Sequence, residues 1–167
     1  RRLHTSHAFH SQMMDPVVPA LREAIGSVRL SEPKIPYISC VTGDWITGAQ
    51  ACDPAYWAGQ ARAAVQFQAG LAKLAEDGKP VLLEVGAGNT LSAFAAQTLP
   101  RDGQSGLFQS LPDHSRDCSD TDAMAQAMGG LWTAGVTVDW VRSGLRGHRN
   151  DLGRGVLVNS GEAVGVI

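Results

Sequence analysis

Pro80-Val81-Leu82-Leu83-Glu84-Val85-Gly86-Ala87-Gly88-Asn89-Thr90 decides the architecture. Residues 80–85 form a nearly continuous apolar run, the pattern of a short strand covered on both faces. Gly86 and Gly88 allow a tight reversal that feeds residues 89–97 into a helix. Strand, glycine turn and helix in that order point to an α/β layer with parallel strands. Backbone amides in such a turn can hold a phosphate. This turn lacks the third glycine of a dinucleotide fingerprint and the lysine of a phosphate loop, so a structural turn is the stronger reading.

Upstream of that strand, Asp15-Pro16 reads as a helix start, with Val17, Leu21, Ala24 and Ile25 at helical spacing until Gly26. Residues 31–36 are a polar connection, and residues 37–41 read as a strand that stops at Thr42-Gly43. Asp53-Pro54 opens a second helix carrying Tyr56-Trp57 to about residue 63. Val65, Phe67, Leu71 and Leu74 mark a third, ended by Asp77-Gly78. Downstream, residues 107–111 suit a short strand and residues 112–122 a polar connector. Residues 121–134 form an amphipathic pattern with Met124, Met128, Leu131 and Trp132, stopped by Gly135. Residues 136–140 read as extended. From Val141 onward periodicity is lost, and residues 141–167 are expected to be disordered or loosely packed. No internal repeat is visible.

The composition, 44% hydrophobic and 18% charged over 167 residues, is that of a folded chain with a sizeable core. A net charge of −2 and a pI near 6.2, with scattered arginines, exclude a nucleic-acid or anionic-membrane surface. No apolar run approaches the ~18 residues that span a bilayer. The first residues lack the layout of a signal peptide. Cys40, Cys52 and Cys118 are widely spaced, with no Cys-x-x-Cys pair. They form neither a disulfide framework nor a zinc site, and a cytoplasmic location is expected.

The chemistry concentrates near the start, in Thr5-Ser6-His7-Ala8-Phe9-His10-Ser11 followed by Met13-Met14-Asp15-Pro16. Imidazole titrates near neutrality and suits a group that takes a proton and later returns it. From the residues alone, His10 reads either as such a base or as a hydrogen-bonded interior histidine beside a helix start. His4, His7 and His10 are spaced by three, which drifts them around a helix by ~60° per step. No carboxylate or cysteine lies within the cluster, and no metal site is assigned.

His-Ala-Phe-His-Ser resembles the signature of acyltransferase domains in modular polyketide synthases. Further blocks carry the resemblance in order: Met-Met-Asp-Pro, Tyr-Ile-Ser-Cys-Val-Thr-Gly, Asp-Pro-Ala-Tyr-Trp, Val65-x-Phe67, Leu83-Glu84-Val85-Gly86-x-Gly88 and Leu131-Trp132-x-x-Gly135-Val136. Together they cover about residues 3 to 140 and are specific as a set. The resemblance implies an α/β fold, the C-terminal part of the hydrolase-like large subdomain, followed by a linker helix. It divides the chain into an acyltransferase part at 1–100, a post-acyltransferase linker at 101–140 and a divergent tail at 141–167.

It also implies an activity: a malonyl unit moves from coenzyme A to a serine, then to the phosphopantetheine thiol of an acyl carrier protein. No cofactor is bound; malonyl-CoA is the substrate. The neighbouring ketosynthase domain is an expected partner, and neither nucleic acid nor membrane is. His10 is implied as base and acid in both halves, its other ring N–H held by a backbone carbonyl that matches Gln60. His7 and Phe9 fall in the selectivity part of the motif, where bulk at Phe9 crowds an α-methyl and favours malonyl over methylmalonyl. Such discrimination supplies only ~1–3 kcal/mol.

No Gly-x-Ser-x-Gly elbow occurs in the chain. The serine and the carboxylate-binding arginine are therefore expected upstream, and the isolated chain is expected to be inactive and poorly soluble. Three departures stand out. Gly59, Ala61 and Ala64 replace the family's arginine, leucine and proline, Ala87 replaces the proline of its Gly-Pro-Gly turn, and its basic, Pro-rich C-terminal continuation is absent. Two rival readings are a non-catalytic structural or linker piece of a megasynthase and an esterase-like Ser–His hydrolase, with Asp15 or Asp53 as the triad acid.

Overall fold

The computed structural model describes residues 6–99, 101–104, 106–113, 117–143 and 164–166, and the chain divides into two compact units, 1–73 and 74–167. In the first unit, the helix expected after Asp15 starts later. The Ser11 hydroxyl accepts the N–H of Met13 and begins a 3-10 turn, Gln12–Met14, which Asp15 closes through its backbone. The helix α1 (Val18–Gly26) follows, with Pro19 rather than Pro16 in its first turn. Both prolines fit a helix start. Pro16 falls between the Ser11-capped turn and α1, and the Asp15 side chain is left for another partner.

The strand expected at residues 37–41 is a two-residue arm, β1 (Ile38–Ser39). It pairs antiparallel with β2 (Asp44–Trp45), in register Ile38 to Trp45 and Ser39 to Asp44. Gly43, at φ +72°, reverses the chain between them. The reversal packs so closely that a Cβ there would lie 2.6 Å from that of Ala69. The helix α2 (Gly48–Ala51) has a capping box between Thr47 and Gln50, a signal present in the sequence but short enough to pass over. Asp53 caps α3 (Pro54–Gln60) by accepting the N–H of Ala55, as expected at an Asp-Pro start. α3 packs against α1. The helix α4 (Phe67–Leu74) ends in a 3-10 turn at Gly78.

The second unit is built on β3 (Val81–Glu84), buried at three of its four positions. The strand β4 (Gly106–Gln109) pairs parallel with it, Val81 opposite Gly106 through Glu84 opposite Gln109. The helix α5 (Thr90–Thr98) makes the right-sized crossover between these two strands, as the alternation of elements requires. Val81 and Leu83 face a core of Met128, Leu131, Val136 and Val138, with Phe108 packed against it. Met128 and Leu131 come from α6 (Asp120–Thr133), capped by the Ser119 hydroxyl. The segment 101–140 thus contributes β4 and α6 to the same core as β3.

The opposite face of β3 carries Leu82, fully buried, and Glu84. The Glu84 carboxylate accepts the N–H groups of Leu91 and Ser92 at 3.1 and 2.8 Å, so it caps the first turn of α5 where the helix dipole favours a negative charge. Gly86 and Gly88 have φ of +150° and +97°, and Gly86 donates its N–H to the Ser110 hydroxyl. The turn is structural, its helix amides already taken by Glu84.

Residues 136–140, expected to be extended, bury Val136 and Val138 but form no strand beyond a single bridge at Val138. Within the segment expected to be disordered or loosely packed, β5 (Val164–Val166) pairs parallel with β3, giving the order β4-β3-β5. Val-Gly-Val has strand-forming residues at both ends and completes the free edge of β3. Residues 144–163 and 167 lie outside the described residues. Among those described, no helix is long and apolar enough to cross a membrane.

Candidate active site

Every feature of the site comes from the first unit. His10 has φ +59°, the single non-glycine residue with positive φ among those described. His tolerates this left-handed conformation better than most residues, yet it still costs on the order of 1 kcal/mol. Three hydrogen bonds to the end of α3 and the turn after it hold it there. The His10 backbone N–H donates to the Ala61 carbonyl at 2.9 Å. Its ring Nδ1 lies 3.0 Å from the Gln60 carbonyl oxygen and 2.9 Å from that of Ala63.

Two carbonyl oxygens accept and cannot donate, so Nδ1 must carry the proton that both share. In the neutral ring the lone pair then sits on Nε2, and the side chain is exposed. A ring held at one nitrogen and open at the other is the arrangement a proton shuttle needs. Within this unit His10 is therefore a hydrogen-bonded surface histidine.

The segment around His10 is tied to itself. The Ser11 hydroxyl donates to the Ala8 carbonyl at 2.6 Å and accepts from Met13, while the Ala8 N–H points at the Met13 sulfur at 3.4 Å. His7 has its Nδ1 2.9 Å from the Ser6 hydroxyl, and its ring is tilted 60° from that of Phe9 with centroids 6.4 Å apart. Phe9 is 54% exposed and so is not a core residue of this unit. His4 lies outside the described residues.

Asp15 and Asp53 are both engaged elsewhere. Asp15 accepts from the Arg62 guanidinium at 3.0 Å, and Asp53 caps α3. Neither is among the hydrogen-bond partners of His10, whose Nδ1 faces carbonyls rather than a carboxylate. Among the described residues no three His, Cys, Asp or Glu side chains gather into a metal site. Sequence reasoning missed the carbonyls of Ala61 and Ala63 and the Asp15–Arg62 pair. The alanines act through backbone alone and leave no trace in residue type. Arg62, the one charge in Gly59-Gln60-Ala61-Arg62-Ala63-Ala64, was a visible signal.

The model of the acyl transferase domain family matches residues 1–138. A phenolphthiocerol/phthiocerol polyketide synthase protein of Mycobacterium tuberculosis (strain CDC 1551 / Oshkosh) is 34% identical over 141 residues, 84% of this chain and 9% of that protein. The spectinabilin polyketide synthase system protein NorB of Streptomyces orinoci is 33% identical over 84% of this chain and 6% of its own length. Among solved structures, the acyltransferase domain of SpnD in complex with 2-(pent-4-yn-1-yl)malonyl aligns with a TM-score of 0.77 and 36% identity. The alignment covers 81% of this chain and 33% of that one. The acyltransferase domain from the second module of the salinomycin polyketide synthase aligns with a TM-score of 0.76 and 36% identity, over 84% of this chain and 32% of that one. The chain thus spans about a third of the solved domains and less than a tenth of the curated relatives. With an α/β fold like that of polyketide synthase acyltransferase domains and a family match over most of its length, the chain belongs to the acyl transferase domain family.

Proposed function

We propose that this chain is the histidine-bearing part of a polyketide synthase acyltransferase that transfers a malonyl unit from coenzyme A to an acyl carrier protein. The observation that carries the reading is the His10 ring, with Nδ1–H shared by the Gln60 and Ala63 carbonyls and Nε2 left free. Nε2 takes the proton of a serine hydroxyl supplied upstream of residue 1, and the serine oxygen attacks the thioester carbonyl. The resulting imidazolium returns its proton to the departing coenzyme A sulfur, leaving a malonyl-serine ester. In the second half Nε2 takes the proton of the phosphopantetheine thiol, and the thiolate attacks that ester. The imidazolium then protonates the departing serine oxygen. Through both halves Gln60 acts by its carbonyl, which keeps the tautomer fixed.

Phe9, exposed beside His7, is read as the wall that crowds an α-substituent and tips the choice towards malonyl. The SpnD domain was solved with an α-substituted malonyl group, which bears on a malonyl-type acyl unit in general and not on the choice of malonyl over methylmalonyl. Residues 1–100 are read as acyltransferase and 101–140 as the linker that follows it, packed into the core through β4 and α6. The carrier protein and a neighbouring ketosynthase domain are the partners, and the location is cytoplasmic. Without the upstream serine the chain by itself loads nothing.

The test is acyl loading by the complete polypeptide that carries this chain, with malonyl- and methylmalonyl-coenzyme A in competition. His10→Ala should lower loading about 10²–10⁴-fold with the fold intact, and Phe9→Ser should raise the methylmalonyl share. Loading undiminished in His10→Ala would sink the reading.

A further inference from the structure

We propose that the Asp15–Arg62 ion pair is a positioning device for His10, an inference that rests on the function proposed above. All three acceptors that hold His10 sit at residues 60, 61 and 63, and Arg62 lies among them. Its guanidinium reaches back to Asp15, which closes the 3-10 turn directly following the His10 segment. The pair therefore adds a side-chain tie from outside between the donor segment and the acceptor turn.

The turn's own backbone closes it, with Ala61 donating to the Ala58 carbonyl and Arg62 and Ala63 to that of Gly59, and the Arg62 side chain adds a tie back to Asp15. Its side chains, from Gly59 to Ala64, are small apart from Gln60 and Arg62. A Cβ added at Gly59 would meet nothing within 4 Å. An open hollow lined by Asp15, Val18, Pro19, Gly59, Arg62 and Ala63 lies at the pair. A turn so sparsely packed keeps its carbonyls aimed at Nδ1 through polar ties rather than through shape. The pair is exposed, with side-chain accessibilities of 43% for Arg62 and 59% for Asp15, so it contributes little to global stability. Its effect falls instead on the aim of one ring, where a displacement of about 1 Å can slow a reaction by up to ~10²-fold.

The experiment is a double-mutant cycle on loading kinetics in the complete polypeptide, with His10→Ala as a reference. Arg62→Ala and Asp15→Asn should each lower kcat about 3–10-fold while KM for the acyl thioester changes less than about twofold. The double variant should be no slower than either single one. The swap Asp15→Arg/Arg62→Asp should recover much of the loss. If His10→Ala loads normally, the function reading fails whatever Arg62 does. If His10→Ala is dead but Arg62→Ala keeps the wild-type kcat, the positioning role is overturned and the function stands. Should Arg62→Ala unfold, Asp15→Asn and the swap decide: wild-type kcat in the first, or no recovery in the second, overturns the proposal.

Discussion

A histidine with left-handed backbone is a residue whose identity serves two demands at once. At position 10 the chain needs an imidazole for chemistry and a residue that tolerates φ +59°. Substitutions can separate the two. His10→Asn removes the ring but keeps a side chain favoured in the left-handed region, whereas His10→Ala removes both. Urea unfolding should find His10→Ala less stable than His10→Asn by about 1 kcal/mol, although neither should load acyl groups. Equal midpoints would mean that the backbone does not hold this conformation. The motif made His10 visible in the sequence. Its conformation, and the two alanine carbonyls that enforce it, were not visible, because backbone atoms of residues 61 and 63 are the same whatever side chains stand there.

At the scale of elements, the fit of α6 onto β4 depends on a glycine. A Cβ at Gly130 would collide with the Phe108 ring, while one at Gly129 would meet nothing within 4 Å. Gly130→Ala should therefore destabilise the chain by about 1–3 kcal/mol as the ring is forced aside. Gly129→Ala should be neutral or stabilising by up to about 1 kcal/mol, because alanine favours the helix. Thermal unfolding of the two neighbours distinguishes them, and equal shifts would contradict the packing described. Elements with a strong period were legible: α3, α4, α5 and α6 start or end within a few residues of expectation. Elements set by competition were not. Pro16 and Pro19 both offer a helix start, and α1 takes the second, Pro16 lying between it and the turn that Ser11 caps. The hairpin of β1 and β2 read as one strand because its return arm has only two residues.

At the scale of the whole molecule, charge and exposed apolar surface act together. A net charge of −2 and a pI near 6.2 leave little repulsion between copies just below neutrality. Phe9, Met13 and Val17 are all about half exposed in one stretch of chain. Light scattering of the chain should show self-association greatest near pH 6 and falling as the pH is raised to about 8; scattering independent of pH would show that charge is not the control. The α/β class was legible because it follows from one strand, one turn and one helix, whereas β5 was not, since its three residues gain order only from the edge of β3. The acid at the end of that same strand has a consequence for redesign. A protein engineer seeking a nucleotide-recognising scaffold would be drawn to the glycine bend after β3, yet the entrance to α5 is already filled by the chain's own counter-ion. Replacing Glu84 would have to come before any grafted glycine or lysine, and the graft would inherit the task of anchoring the helix.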